Sequence, residues 1–108
     1  MSSAANTSLT ECMISVEHPS LPGHFPGQPI VPGVVMLNEV LAALQGWQPG
    51  FVLGAVPTVK FMRPLLPGES FSIRLELAGK GFRFECFTAD HMLAKGSLQG
   101  HPAPAVQP

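Results

Sequence analysis

Hydrophobic and polar residues alternate with a period of two across much of the second half of the chain. Apolar residues at positions 71, 73, 75 and 77 are separated by Ser72, Arg74 and Glu76, and those at 82, 84 and 86 alternate in the same way. This pattern is typical of strands with one buried face. Gly79-Lys80-Gly81 lies between the two runs and predicts a hairpin. A turn at 89–90 and a last strand over 92–98 complete the predicted meander.

The first half of the chain predicts a strand, a structured loop and a helix. The strand is expected over 11–17, the loop over 18–33, and the helix over 34–45, with Gly46 as its stop. Because this helix is apolar nearly all round, we expect it to be enclosed. A long strand over 51–63 follows and should bend at Pro57. The elements predict an α+β domain over 11–99, between a disordered N-terminal tail (1–10) and a flexible proline-rich tail (100–108).

Composition narrows the class of protein. The chain has 108 residues, of which 45% are hydrophobic and 12% charged. This length suits one domain. A composition so rich in hydrophobic residues favours an oligomer that buries part of the excess apolar surface. The net charge of −1 argues against a nucleic-acid partner. Since no apolar run reaches the length of a membrane span and no signal peptide is evident, we expect no membrane partner and a cytoplasmic protein.

The cysteines and histidines show no metal-ligand spacing. Cys12 and Cys86 are far apart in the chain, and each falls in a predicted strand, where a reduced thiol is expected. The histidines at 18, 91 and 101 have no acidic or cysteine neighbours at ligand spacing. We therefore predict neither a metal nor a cofactor.

The loop before the helix contains the candidate chemistry. His24 opens a segment with prolines at 26, 29 and 32, which restrict the backbone and hold the imidazole in one place. A histidine fixed near a helix N-terminus suits proton transfer beside a polarised acyl carbonyl. The alternative is that proline and glycine only shape a turn and that His24 is exposed there.

Two segments resemble the 3-hydroxyacyl-acyl-carrier-protein dehydratases of the FabZ type. The first is His24-Phe25-Pro26-Gly27 with Pro29-Ile30 and Pro32-Gly33-Val34, and the second is Val59-Lys60-Phe61-Met62-Arg63-Pro64 with Leu66-Pro67-Gly68-Glu69. They occur in family order, and in length the chain is similar to the small dehydratases of aryl-polyene pathways. The resemblance implies the hot-dog fold, in which an antiparallel sheet wraps around one central helix. It also implies a homodimer or higher oligomer, or a heterodimer with a paralogue.

The resemblance implies an activity and roles for particular residues. The activity is dehydration of (3R)-3-hydroxyacyl thioesters on acyl carrier protein to trans-2-enoyl thioesters in fatty-acid or polyene-type biosynthesis. His24 would be the general base. Phe25 would bind substrate, and the backbone around Gly33 and Val34 would bind the thioester carbonyl. The family's catalytic carboxylate, fourteen residues after the histidine, is Asn38 here.

Asn38 and Glu39 are the remaining catalytic candidates. Asn38 could orient the 3-hydroxyl group or make a structural hydrogen bond to the loop. Glu39 is one residue further along, which turns its side chain by about 100° on a regular helix. It would act only through a helix irregularity, and it could instead form an ion pair or face solvent at a dimer seam.

The basic residues are unevenly distributed. All six lie between Lys60 and Lys95, which leaves the second half near +2. Since acyl carrier proteins are acidic, Lys60 and Arg63 are candidates for carrier-protein docking, the alternative being that they only solubilise the surface.

Two other functions compete with the dehydratase. One is a catalytically weakened accessory subunit of a hetero-oligomeric dehydratase, which Asn38 suggests. The other is a hot-dog acyl thioesterase, in which Glu39 or a water held by Asn38 attacks the thioester. The fold supports both chemistries and does not decide between them.

Overall fold

A five-stranded antiparallel sheet and one helix make up the fold. The computed structural model describes residues 6–15 and 30–102. The strands lie in the order β1-β3-β4-β5-β2, so that β1 and β2 form the edges. The predicted α+β hot-dog class is confirmed. The elements are β1 (Thr7–Met13), α1 (Gly33–Trp47), β2 (Phe51–Phe61), β3 (Ser70–Ala78), β4 (Gly81–Phe87) and β5 (Met92–Pro102).

The β3–β4 hairpin determines which residues of the two strands lie on each face of the sheet. Ala78 pairs with Gly81 across a two-residue turn, in which Gly79 has a φ of 60°. Glycine adopts this left-handed conformation without the steric cost that a side chain would add. The pairing places the apolar residues of both strands on one face and Arg74, Glu76, Arg83 and Glu85 on the other, as the alternation predicted.

The hydrophobic core lies between α1 and the inner face of the sheet. The helix contributes a stripe at four-residue spacing, Met36, Val40 and Leu44, each of which is 2% exposed or less. Trp47, at the end of the helix, packs edge-on against Phe82 with ring centroids 5.4 Å apart. The largest fully buried side chains of the sheet and its connections are Leu65, Phe71, Ile73, Leu75, Phe84 and Leu98.

The sheet does not enclose the helix within a single chain. Val34 is 64% exposed, and Asn38 and Ala42, one and two turns further along, are exposed as well. The expectation of full enclosure is therefore wrong for the isolated chain, because the sheet covers only one side of α1. The uncovered side contains no charged residue, which is unusual for a helix face in contact with water.

Several element boundaries differ from those predicted. β1 covers Thr7–Met13 rather than 11–17, so four residues assigned to the N-terminal tail pair with β3. Three of these residues are polar and the fourth, Leu9, is exposed, so backbone pairing rather than hydrophobic burial decides their conformation. β5 likewise continues to Pro102 and includes residues assigned to the C-terminal tail, while α1 continues through Gly46. The predicted bend of β2 is present, since its register with β5 shifts between Leu53 and Thr58, around Pro57.

Both cysteines are free, and both side chains lie on the inner side of the sheet. Cys86 is fully buried on β4. Burial, and secondarily the nearby Cys12 thiol, raises the pKa of Cys86 from 9.0 to about 12. Since only the thiolate reacts with alkylating reagents, Cys86 should be inert in the folded protein.

We expect native protein at pH 8 to resist alkylation at Cys86 by iodoacetamide, and unfolded protein to react within minutes. Because the folded-state pKa is raised, the thiol stabilises the fold below pH 9, and this contribution is lost as the pH rises from 9 towards 12. Mass spectrometry of peptides after labelling with and without guanidinium measures the effect. Labelling of native Cys86 at the unfolded rate would contradict the buried placement.

Candidate active site

The N-terminus of α1 has unsatisfied backbone donors. Pro32 occupies the N-cap position and its side chain makes no capping hydrogen bond. The Val35 N–H donates to the Pro32 carbonyl at 2.9 Å. Among the described residues, the N–H groups of Gly33 and Val34 have no acceptor. Because these groups also carry the positive end of the helix dipole, they can bind a carbonyl oxygen that gains negative charge.

An apolar cavity of about 480 Å³ opens beside this helix end. This volume is within the usual range for small-molecule sites. The Val31 N–H donates to the Leu65 carbonyl at 2.8 Å, which ties the end of the preceding loop to the β2–β3 connection. The cavity can therefore accept an acyl chain next to the free N–H groups. It is lined by Ile30, Val31, Gly33, Met36 and residues 61–65.

Phe61 covers the first residue of the helix. A Cβ atom added to Gly33 would lie 2.8 Å from Cζ of the Phe61 ring, closer than real Cβ atoms approach a neighbour. Any other residue here would force the Phe61 ring to move. The ring is itself 49% exposed, since it lies at the end of an edge strand. Phe61 thus forms a wall between the helix N-terminus and the open side of the cavity.

Asn38 and Glu39 point in different directions from α1. Asn38 is exposed on the uncharged side of the helix, about 7.5 Å along the axis from Gly33. Glu39 is half-buried and lies close enough to β1 to act on Cys12. The pKa of Cys12 is raised by burial and, to a lesser extent, by the negative charge of Glu39. The structure therefore brings neither side chain to the free N–H groups of the same chain.

Lys60 and Arg63 lie on different faces. Lys60 is on β2 with its side chain on the outer face of the sheet, opposite Lys95. Arg63 follows the end of β2 and lines the apolar cavity. Only Arg63 therefore lies at the apolar cavity, although both residues were candidates for docking a carrier protein.

The remaining predicted site residues, His24 and Phe25, lie outside the described residues. Gly33 and Val34 are where the resemblance placed them, at the helix start. Phe61 and Met36 were missed as lining residues. The alternation of β2 contained the signal for Phe61, since it places position 61 on the opposite face from Lys60.

Within residues 6–15 and 30–102, no three histidine, cysteine or acidic side chains are grouped so as to hold a metal ion. Over the same ranges, α1 is too short and not apolar enough to cross a membrane.

A five-stranded antiparallel sheet packed on one helix is the architecture of a hot-dog protein. The chain belongs to the ApeI-like dehydratase family, whose model, described as ApeI dehydratase, matches residues 1–97. The FabZ-type resemblance is thereby confirmed at the level of the family.

Individual relatives agree with this assignment. The 3-hydroxyacyl-[acyl-carrier-protein] dehydratase FabZ of Haemophilus influenzae is 33% identical over 85 residues, covering 69% of this chain and 57% of that protein. FabZ of Chlamydia trachomatis is 30% identical over 102 residues, covering 79% of this chain and 65% of that protein. The chain thus spans somewhat more than half the length of these curated relatives.

Solved structures share the fold. The dehydratase heterocomplex ApeI:P from Xenorhabdus doucetiae matches with a TM-score of 0.81 at 23% identity, over 94% of this chain and 92% of that one. The R-hydratase PhaJ1 from Pseudomonas aeruginosa matches with a TM-score of 0.67 at 16% identity, over 92% and 81% of the two chains.

Gly33→Ala should destabilise the protein by about 1–2 kcal/mol, because the new methyl group displaces the Phe61 ring. Gly46→Ala is the matched control: nothing lies within 4 Å of a Cβ at this exposed helical position. It should stabilise the protein by about 0.5–1 kcal/mol through helix propensity. Chemical denaturation measures both changes. In the Phe61→Ala background the cost of Gly33→Ala should largely disappear, and an undiminished cost would contradict the contact.

Proposed function

We propose that this protein dehydrates (3R)-3-hydroxyacyl thioesters on an acyl carrier protein to trans-2-enoyl thioesters. The observation that carries the proposal is the uncapped N-terminus of α1 beside an apolar cavity of about 480 Å³. Membership of a dehydratase family and the His24 motif support the same chemistry.

The free backbone donors account for activation of the thioester. The N–H groups of Gly33 and Val34 bind the thioester oxygen, and the acyl chain lies along Met36 and Phe61 in the cavity. Negative charge develops on that oxygen when a proton leaves C2, and donors already fixed by the helix stabilise it without reorganising. Removal of a single such donor typically costs about 10²–10³ in rate.

His24 acts as the general base in this proposal, and Phe25 contacts the substrate beside it. The imidazole accepts the C2 proton, the electron pair forms the C2–C3 double bond, and the C3–O bond breaks. The departing hydroxyl takes up a proton and leaves as water. An imidazole that titrates near neutrality suits the first of these transfers.

Protonation of the leaving hydroxyl group is the step in which this chain differs from the family. Asn38 orients the hydroxyl only in the site of a second subunit, since it points away from the free N–H groups of its own chain, and it is not an acid. His24 therefore returns its own proton or a carboxylate approaches from elsewhere. Glu39 can supply it only if α1 rotates. An exposed Asn38 on an uncharged helix face favours a second function, that of an accessory subunit paired with a paralogue that supplies the missing carboxylate.

Hydration of a short trans-2-enoyl carrier-protein thioester, followed by loss of enoyl absorbance, tests the proposal. We expect His24→Ala to lower the rate about 10²–10⁴-fold, the usual contribution of a general base. His91→Ala, an exposed histidine in the β4–β5 turn, is the control and should be silent. Asn38→Glu should raise the rate, because it restores an acid.

Ala42→Glu controls for the added charge, since it places a carboxylate one turn further along the same exposed face. An equal gain from Ala42→Glu, or full activity of His24→Ala, would refute the assigned roles. Turnover only on mixing with a paralogous dehydratase would identify the accessory subunit. Release of free thiol without enoyl chemistry would identify a thioesterase.

Of the two predicted docking residues, Arg63 is proposed to dock the acidic carrier protein, because it lines the apolar cavity whereas Lys60 is on the other face of the sheet. Replacing Arg63 with glutamine should raise KM for a carrier-protein thioester about tenfold while leaving a short N-acetylcysteamine thioester unaffected, because only the former is steered by charge. Lys80→Gln, in the β3–β4 turn, is the control. Equal effects on both substrates would place Arg63 in catalysis or folding instead.

A further inference from the structure

A second cavity lies on the outer face of the sheet, away from α1. It is a groove of about 450 Å³ that crosses β3, β4, β5 and β2 near their middles. Its side chains are those that alternate with the buried residues of the same strands, so it is separated from the apolar cavity by the sheet itself. Its polar lining consists of Arg74, Glu76, Arg83, Glu85, Lys95, Lys60, Thr58 and Ser97.

Half of this lining is internally neutralised. Arg83 pairs with Glu76 at 3.2 Å, and Arg74 pairs with Glu85 at 3.6 Å. These four side chains are all partly exposed, and their charges cancel. Both carboxylates of the groove are therefore used by the arginines.

Two lysines are left over at the β5–β2 end of the groove. Lys60 and Lys95 are register partners, which places their Cβ atoms about 4.5–5.5 Å apart. Neither has an ion-pair partner in the part of the chain that the structure describes. Lys95 also lies opposite Glu85 on β4, but that carboxylate is paired with Arg74, so the four basic and two acidic side chains of the groove leave a net charge of +2.

Two hydroxyl groups adjoin the lysines. Thr58 and Ser97 are the next register pair on the same face, and their oxygens are 3.0 Å apart. One of these hydroxyls donates to the other, which leaves one hydroxyl hydrogen and both ammonium groups to donate to a ligand. The block of four residues thus combines two positive charges with hydroxyl donors, and Glu85, opposite Lys95 on β4, is the acidic side chain that adjoins it.

We propose that this groove binds the phosphate group of a small phosphorylated organic molecule. A phosphate monoester carries close to two negative charges at pH 7 and three acceptor oxygens, which match two lysines and a hydroxyl. A carboxylate would neutralise only one lysine. The groove volume is typical of organic ligands and leaves room beyond the phosphate.

This site goes beyond the proposed dehydration, and its test needs no turnover. The full chain, labelled with ¹⁵N, is titrated at constant ionic strength with adenosine 5′-monophosphate, adenosine and inorganic phosphate. We expect saturable shifts of the amides at 58–60 and 95–97 with adenosine 5′-monophosphate, weaker shifts with inorganic phosphate, and none with adenosine.

Lys95→Gln is the test variant, because the proposed catalytic and docking residues do not include it. It should weaken binding of adenosine 5′-monophosphate at least about tenfold, as expected when a charged hydrogen-bond partner is lost. Lys80→Gln is the control and should leave the binding of adenosine 5′-monophosphate unchanged.

Four outcomes would overturn the proposal. The first is the absence of saturable shifts with any probe. The second is equal affinity for adenosine and its monophosphate, and the third is equal affinity for inorganic phosphate, which would make free phosphate the ligand. The fourth is binding of polyglutamate at the same amides with the same sensitivity to Lys95→Gln, which would make the groove a surface for acidic proteins.

Discussion

The burial of one stripe of α1 against the inner face of the sheet is the constraint on which the rest of the molecule depends. Met36, Val40 and Leu44 are spaced so that all three meet the same sheet surface. Each such side chain contributes about 1.5–3 kcal/mol when it leaves water. Helices of this length are marginal in isolation, so packing rather than propensity fixes the helix. Because the stripe begins three residues after Gly33, it also fixes where the first turn of the helix lies.

The first turn is held in a state that is costly for folding and useful for binding. Pro32 at the N-cap gives no side-chain acceptor to the N–H groups of Gly33 and Val34, and no other described residue does so, although serine or aspartate at that position would satisfy one of them. The Phe61 ring lies so close to Gly33 that a larger residue there would displace it. Pro32 and Gly33 thus leave donors free at the positive end of the helix at some cost to helix stability, and Phe61 adds an apolar wall beside them. Such local conflicts are typical of functional sites.

The central strands of the sheet could be predicted from the sequence, but the ends of its edge strands could not. Period-two alternation fixed β3 and β4 and their glycine turn, because each buries one face. β1 begins at Thr7 because its backbone pairs with β3. Residues 7–10 are polar except Leu9, so they show no hydrophobic alternation that would predict a strand. At the site, the motif identified Gly33 and Val34. The opposition of Lys60 and Lys95 depends on the register of two strands that are distant in sequence, and the alternation of one strand cannot reveal it.

The face of α1 that the sheet leaves uncovered carries Asn38, which stands where the family has its catalytic carboxylate. The helix is α-helical from Gly33 to Trp47, so Asn38 and Glu39 stay about 100° apart and no local irregularity exchanges them. Glu39 is on the side of β1, where its charge acts on Cys12. Asn38 is on the side that the sheet leaves open, in a row of uncharged residues suited to contact with another subunit. A carboxylate introduced at position 38 would therefore face that second subunit, whereas one brought by the second subunit would face position 38. In the proposed mechanism the acid is therefore supplied across the contact between α1 and that second subunit.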